Sequence, residues 1–310
     1  MIEVLEAGVL TSVQTAAGRP GWRHLGVPVG GAADPWSARL ANRLVGNPDD
    51  AALLELTLHG PSLRFGASTA IALTGATFEA RLNGLPLQMN AGRHVRAGSS
   101  LHIGVGDGAR GYLAVAGGID VELVLGSAAT DLRTGFGGHQ GRALRAGDRL
   151  AYGTISGIMR RWNGPAPAGP IRIVPGPHRG AGELVDVAWV VALEADRTGV
   201  RLDGGAVRAE RAEVASMALP VGAIQVPPDA RPIIMLADRP VTGGYPVPAC
   251  VIRADIGRVA MLRPGDPLRF AWVSIEDARH ALREMERALT ELEDADTTPD
   301  DELGWAGAHR

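Results

Sequence analysis

The chain has 310 residues, 45% hydrophobic and 21% charged, with a formal net charge of −3, the make-up of a folded globular protein of about two domains. Charges of both signs are interspersed, so no concentrated positive field is available for a nucleic-acid backbone or an anionic bilayer, and neither is an expected partner. All 31 basic side chains are arginines, which rules out a Schiff base, a P-loop lysine and a covalent attachment point for biotin or a lipoyl group. Cys250 is the single cysteine; it excludes an internal disulfide and a cysteine zinc site, reads as a small buried residue, and fits a reducing, cytoplasmic setting. The opening MIEVLEAGVLTSVQ reads as neither an export signal nor a membrane span. Gly (42) and Pro (21) against 4% aromatic residues require many tight turns between short elements, which predicts a mainly β protein.

Residues 1–33 read as short strands cut by Gly and Pro. Over DPWSARLANRLVGNP the spacing predicts a helix, with Asp34 as its cap and Pro35 at its first position. Trp36, Leu40, Leu44 and Val45 recur on one face, and Gly46 and Pro48 end it. From Leu53 to Leu150 short strands return in LLELTLHG, SLRFG, AIALTGA, FEARLNG, LHIGVG and YLAVAGG. Gly106, Gly108 and Gly111 spell G-x-G-x-x-G, but the following YLAVAGGID alternates as a strand where a dinucleotide site needs a helix. These glycines are read as a hairpin turn. VRAGSSLHI (95–103), LRAGDRLAY (144–152) and LRPGDPLRF (262–270) share one pattern, either a strand–turn–strand unit used three times or a common turn chemistry that arose independently.

RRWNGPAPAGP (160–170) reads as a linker without a packed element. It divides the chain into an N-terminal domain (1–159) and a C-terminal domain (171–293). Strand-like stretches continue in WVVAL, GAIQVPPD, RPIIMLAD and CVIRADI, and SIEDARHALREMERALTELED predicts a terminal helix capped by Ser274 with Asp277 three residues on. The acidic tail, 294–310, is expected to be disordered.

Four clusters combine Gly or Pro punctuation with polar residues that a plain turn does not need, and such loops are where function concentrates. They offer Arg19, Asp34 and Asn42; Glu55, Thr74 and Asn83; Gly137, Gly138, His139 and Arg142 in TGFGGHQGR; and Gln225, Asp238, Thr242 and Tyr245. Asp34 reads first as a helix cap. Glu55 alternates with leucines, which fits a structural ion pair as well as a reactive acid.

The most specific pieces, GGAADPWSARLANRLVGNPDDAALLELTLHGPSLRF and VGAIQVPPDARPIIMLADRPVTGGYP, resemble the family of the C subunit of bacterial 5-oxoprolinase. The same family includes KipA-like proteins, allophanate hydrolase subunit 2 and the carboxyltransferase-A region of urea carboxylase. The resemblance covers about residues 3 to 272 and implies two linked, cyclophilin-like β-barrel units with a few short helices. It also implies an obligatory partner, the B subunit of 5-oxoprolinase, which is KipI-like and corresponds to allophanate hydrolase subunit 1. With ATP and magnesium in the complex, the pair would activate 5-oxoproline, and the A subunit would open the ring to glutamate. The sequence departs from the family at three places: Gln14–Arg19 lacks an aspartate, Ala230 stands where a glycine is common, and Met261 where a glutamine is frequent.

A carboxylated lactam needs a fixed cation for its carboxylate and strong polarisation of its amide carbonyl. On that chemistry Arg19 and Arg142 are the carboxylate candidates. The loop with Gly137, Gly138 and His139 offers either backbone amides to an anion or only a wide turn. Gln225, Thr242 and Tyr245 are candidates to orient the amide, with Asn42 and Asn83 as further polar contacts, and Glu55 is a general base if burial raises its pKa. Tyr245 and Arg142 join Glu55 as expected catalytic groups, and no metal site is expected. Two other readings remain: carboxyl transfer to urea or a similar amide from biotin supplied by another chain, and a regulatory protein that binds a histidine-kinase inhibitor resembling the B partner.

Overall fold

The computed structural model describes residues 1–154, 159–165, 167–180, 182–209 and 213–294. The first half holds β1 (Ile2–Glu6), β2 (Leu10–Gln14), α1 (Pro35–Leu44), β3 (Leu53–His59), β4 (Ser62–Phe65), β5 (Thr69–Gly75), β6 (Phe78–Leu82), β7 (Leu85–Pro86), β8 (Gly92–Val95), β9 (Ser100–Val115), β10 (Ile119–Asp120) and β11 (Arg149–Tyr152). After β12 (Arg160–Arg161) come β13 (Ile171–Pro175), α2 (Glu183–Asp186), β14 (Trp189–Val191), β15 (Gly199–Asp203), β16 (Met217–Ala218), β17 (Ala223–Gln225), β18 (Ile233–Met235), β19 (Thr242–Gly243), β20 (Ala249–Val251), α3 (Ile256–Ala260), β21 (Pro267–Leu268), β22 (Phe270–Trp272), α4 (Ile275–Ala288) and β23 (Glu293–Asp294). The protein is mainly β, built from two barrel-like sheets.

The first sheet orders its strands β10-β11-β1-β4-β9-β3-β2. Its hub is β9, whose first half pairs with β4 and β6 and whose second half pairs with β3 and β5. One long bent strand thus serves both walls and curls the sheet toward closure. The G-x-G-x-x-G glycines lie inside this strand, not in a hairpin turn. The physical reason is Phe78: a Cβ at Gly106 or Gly111 would meet its ring, so the glycines make room for an aromatic core side chain where the ladder shifts register. Alternation does the rest. In β6, Phe78, Ala80 and Leu82 point into the core while Glu79 and Arg81 face outward.

The second sheet runs β21-β14-β15-β18-β17-β20-β13-β22, all antiparallel except β13 beside β22. Its core gathers around Trp189, Ile173, Leu202, Ile224 and Ile234. The three repeated motifs adopt one turn: the amides of Ser99, Asp148 and Asp266 each donate to the carbonyl of the arginine three residues before, at 3.0–3.1 Å, and Gly98, Gly147 and Gly265 all have φ between +84° and +90°.

Both predicted helices form with their predicted caps. Asp34 accepts from the amides of Trp36 and Ser37 at 3.0 and 3.2 Å, and Ser274 forms a capping box with Asp277. The segment 160–170 is not empty of structure as expected, because β12 pairs with β23 and Trp162 meets Trp36 edge-on, with ring centroids 5.1 Å apart. Helix α4 therefore returns to the first barrel, where Trp36 Nε1 donates to the Met285 carbonyl at 2.9 Å and Arg39 pairs with Glu286 at 2.6 Å. Asp294 closes β23; the rest of the tail lies outside the described residues. Cys250 sits half-buried on β20 rather than fully enclosed.

Candidate functional site

The two barrels meet over a buried ionic core. Glu55, at the centre of β3, is fully buried and lies opposite Ser12 of β2 and Tyr112 of β9. One of its oxygens accepts the Ala33 amide at 2.8 Å. The other is bonded by Arg197 of the β14–β15 turn, across the seam, with Arg110 Nε 3.8 Å away. Arg197 also donates to the Gly31 carbonyl at 2.6 Å and grips Asp238 with two bonds of 2.8 and 3.0 Å. Nearby, the Tyr112 hydroxyl accepts the Asp34 amide at 2.7 Å, and Gly257 of α3 packs so closely on the Asp34 carboxylate that a Cβ there would collide with it.

Burial alone pushes the Glu55 carboxyl up, but the Arg197 and Arg110 guanidiniums and the Ala33 amide outweigh it and hold it below the usual range. Burial likewise works against the Arg197 charge, and Glu55 and Asp238 more than restore it. Glu55 is therefore an ionised structural anchor; the condition for its acting as a general base, a raised pKa, is not met.

Along the same seam opens a cleft of about 1830 Å³, lined among others by Gly30, Asp34, Ala237, Arg239, Arg253 and Met261. Arg239 and Arg253 line it from the second barrel, and Arg23 reaches the same Leu219 carbonyl as Arg239 from the first half of the chain. Arg23, in a short 3-10 turn, donates to the carbonyls of Leu219 and Val241, both at 3.0 Å. Arg239, following β18, donates from Nε to the same Leu219 carbonyl at 2.9 Å. Arg253 opens the 3-10 turn Arg253–Asp255 and is exposed. Desolvation, then repulsion from Arg23 and Arg253, lowers the Arg239 pKa to about 10.

The polar residues singled out in the sequence fall into separate places, and of them only the helix cap Asp34 lines the cleft. Arg19 is buried; its Nε and Nη2 donate to the carbonyls of Val124 and Ala129 at 2.9 and 2.7 Å, and it stacks 4.6 Å from the Phe136 ring. Gly137 presses against that guanidinium, and Gly138 against Thr130, both with positive φ. His139 Nε2 lies 3.4 Å from Asp148, which Arg142 grips with two bonds of 2.8 Å. The structure thus brings Arg19, the glycine-rich loop and Arg142 into one neighbourhood in which both arginines already hold protein partners.

Gln225 is buried, with its amide nitrogen lacking a partner among the described residues. It packs against Gly243, beside exposed Thr242 and Tyr245. Asn42 and Asn83 are engaged locally: Asn42 donates to the Asp49 and Ala51 carbonyls, and Asn83 bonds Ser99 and the Ser100 amide across a turn. Sequence reasoning missed Arg23, Arg197, Arg239 and Arg253. Arg239 lies inside the ADRPVTGGYP stretch already noted, but nothing local marks the others; Arg23, for one, finds a partner 218 residues away.

Two unequal barrels, locked across a buried ion-pair core and flanked by an open cleft, define a two-subdomain β protein with a cleft along the junction of the subdomains. The chain belongs to the carboxyltransferase domain family, subdomains A and B, whose profile matches residues 25–272. It is 38% identical to the 5-oxoprolinase C subunit of Escherichia coli over 94% of this chain and 97% of that protein. It is 34% identical to the Haemophilus influenzae C subunit over 94% of this chain and 97% of that protein. The crystal structure of the Kluyveromyces lactis urea amidolyase superposes with a TM-score of 0.86 at 31% identity, covering 97% of this chain but 20% of that much longer protein.

Proposed function

We propose that this chain is the C subunit of a bacterial ATP-dependent 5-oxoprolinase, which together with its B partner activates 5-oxoproline for ring opening to glutamate on the A subunit. The supporting observation is end-to-end correspondence: the C-subunit relatives match over 97% of their own length, whereas the urea amidolyases match over 18% of theirs. In this reading the chain works in the cytoplasm, is inactive alone, and offers its cleft to a partner that completes it. ATP, when bound to the complex, supplies the chemical drive for activating the lactam carbonyl. Magnesium, in this reading, enters on the phosphates of the nucleotide. The part of this chain is then to hold and orient: the seam fixes the cleft walls, and guanidiniums beside the cleft meet the substrate's negative charge.

The test is reconstitution. The purified A and B subunits with this chain, 5-oxoproline, ATP and magnesium should yield glutamate, and omission of any one chain should abolish it. Absence of glutamate with every component folded would overturn the reading. The likeness to the urea amidolyase structure supports a second reading, carboxyl transfer from biotin to an amide. Because the chain has no lysine, that biotin would have to arrive on a separate carrier. Transfer of labelled carboxylate from carboxybiotin-loaded carrier to urea would favour it.

A further inference from the structure

We propose that Arg239 and Arg253, which line the cleft, and Arg23, which shares the Leu219 carbonyl with Arg239, form an oxyanion-binding site at the cleft's edge, taking the carboxylate or phosphate of a small molecule. Arg23 and Arg239 both donate to one backbone oxygen, that of Leu219, at 3.0 and 2.9 Å. Two like charges are thereby held side by side. Such a pair normally brings a carboxylate with it, and among the described residues no carboxylate forms an ion pair with any of the three. Asp238 attracts Arg239 only from a distance, and both its oxygens are bonded by Arg197. The Arg253 side chain makes no hydrogen bond or ion pair among the described residues, and it lines the cleft together with Arg239.

These are the parts of an anion receptor. Two guanidiniums are fixed by carbonyls of the β16–β19 region, Leu219 and Val241, and by Leu236 and Ala237 after β18, so they need little reordering when a ligand arrives. The third is free to close on it. Arg23 keeps Nε and Nη1, and Arg239 keeps Nη2, without a hydrogen bond among the described residues, so several donors remain for a planar or tetrahedral oxyanion. Burial first, and repulsion from Arg23 and Arg253 after it, work against the Arg239 charge, and a bound anion would offset the repulsion. The site deepens the reading above by naming which guanidiniums meet the anion, and its test reads anion binding by this chain alone, so that it can fail or succeed apart from glutamate formation.

Arg253→Gln removes the guanidinium without breaking a side-chain hydrogen bond or ion pair among the described residues and should leave the fold intact by circular dichroism. The arginine Nε–H signals of the full chain, labelled with nitrogen-15 and kept at low ionic strength, are to be followed during separate titrations with inorganic phosphate, acetate and 5-oxoproline. Saturable shifts are expected with at least one of these anions, and Arg253→Gln should weaken that binding about tenfold. Arg253→Lys should recover part of it, and the remote, exposed Arg149→Gln should leave it unchanged. Phosphate alone would name a phosphoryl group as the ligand, acetate or 5-oxoproline a carboxylate. Binding of acetate without 5-oxoproline would keep the site and count against a lactam substrate. No saturable shift with any anion, or equal weakening by Arg149→Gln, would overturn the site.

Discussion

Ala230 has φ +60°, in the left-handed region where a Cβ crowds the following carbonyl. A glycine at this place would carry no such penalty, and the alanine that stands there is strained. Ala230→Gly is expected to stabilise the protein by about 0.5–1 kcal/mol, read as a rise in urea midpoint at constant slope. Glu55 works in the opposite sense. Its folded pKa lies below the unfolded value of about 4.3, so the unfolded chain binds the extra proton on acidification. The stabilisation from Glu55 is complete above the ordinary carboxylate range and is lost as pH falls through the folded value. Urea midpoints should therefore drop below about pH 4.3, and the fall should be shallower in Glu55→Gln. That variant leaves Arg197 and Arg110 short of a countercharge at any higher pH, at an expected cost of about 3 kcal/mol or more. A midpoint within experimental error of the parent's at pH 7 would show that the ionic core contributes nothing.

Helices α1 and α4 are legible in the sequence because each carries its own start signal, an aspartate or serine whose side chain bonds amides one turn on. Strand β9 is not. Its glycines carry the local signature of a turn, and only the ring of Phe78, brought in from another strand, explains why they stand in the middle of a ladder. Gly111→Ala should push a methyl into that ring and cost about 1–3 kcal/mol. Combining it with Phe78→Leu should return part of the loss, a coupling that a double-mutant cycle in urea measures. Purely additive effects would mean that the ring and the glycine do not share space. The segment 160–170 misleads for a related reason: Pro, Gly and Ala describe poor local propensity, yet Trp162 and the arginines before it gain partners from α1 and from β23, far off in the chain.

The mainly β class and the two-barrel architecture can be read from turn spacing and from the family resemblance, but the seam cannot. Its ion pairs join residues 41 to 142 positions apart, a distance over which neither periodicity nor motif carries information. Arg197 is the pivot, since it alone among the described residues bonds Glu55, Gly31 and Asp238 together. Arg197→Met is expected to destabilise the protein by about 3–5 kcal/mol and to split one calorimetric transition into two, one for each barrel; a single transition with an unchanged midpoint would contradict the coupling. The same pivot bears on birth at the ribosome. Glu55 emerges 142 residues ahead of Arg197, so the nascent first barrel must wait on the order of ten seconds of synthesis for its countercharge. Until then the early half of the polypeptide carries a buried carboxylate whose main counter-ion has yet to be made.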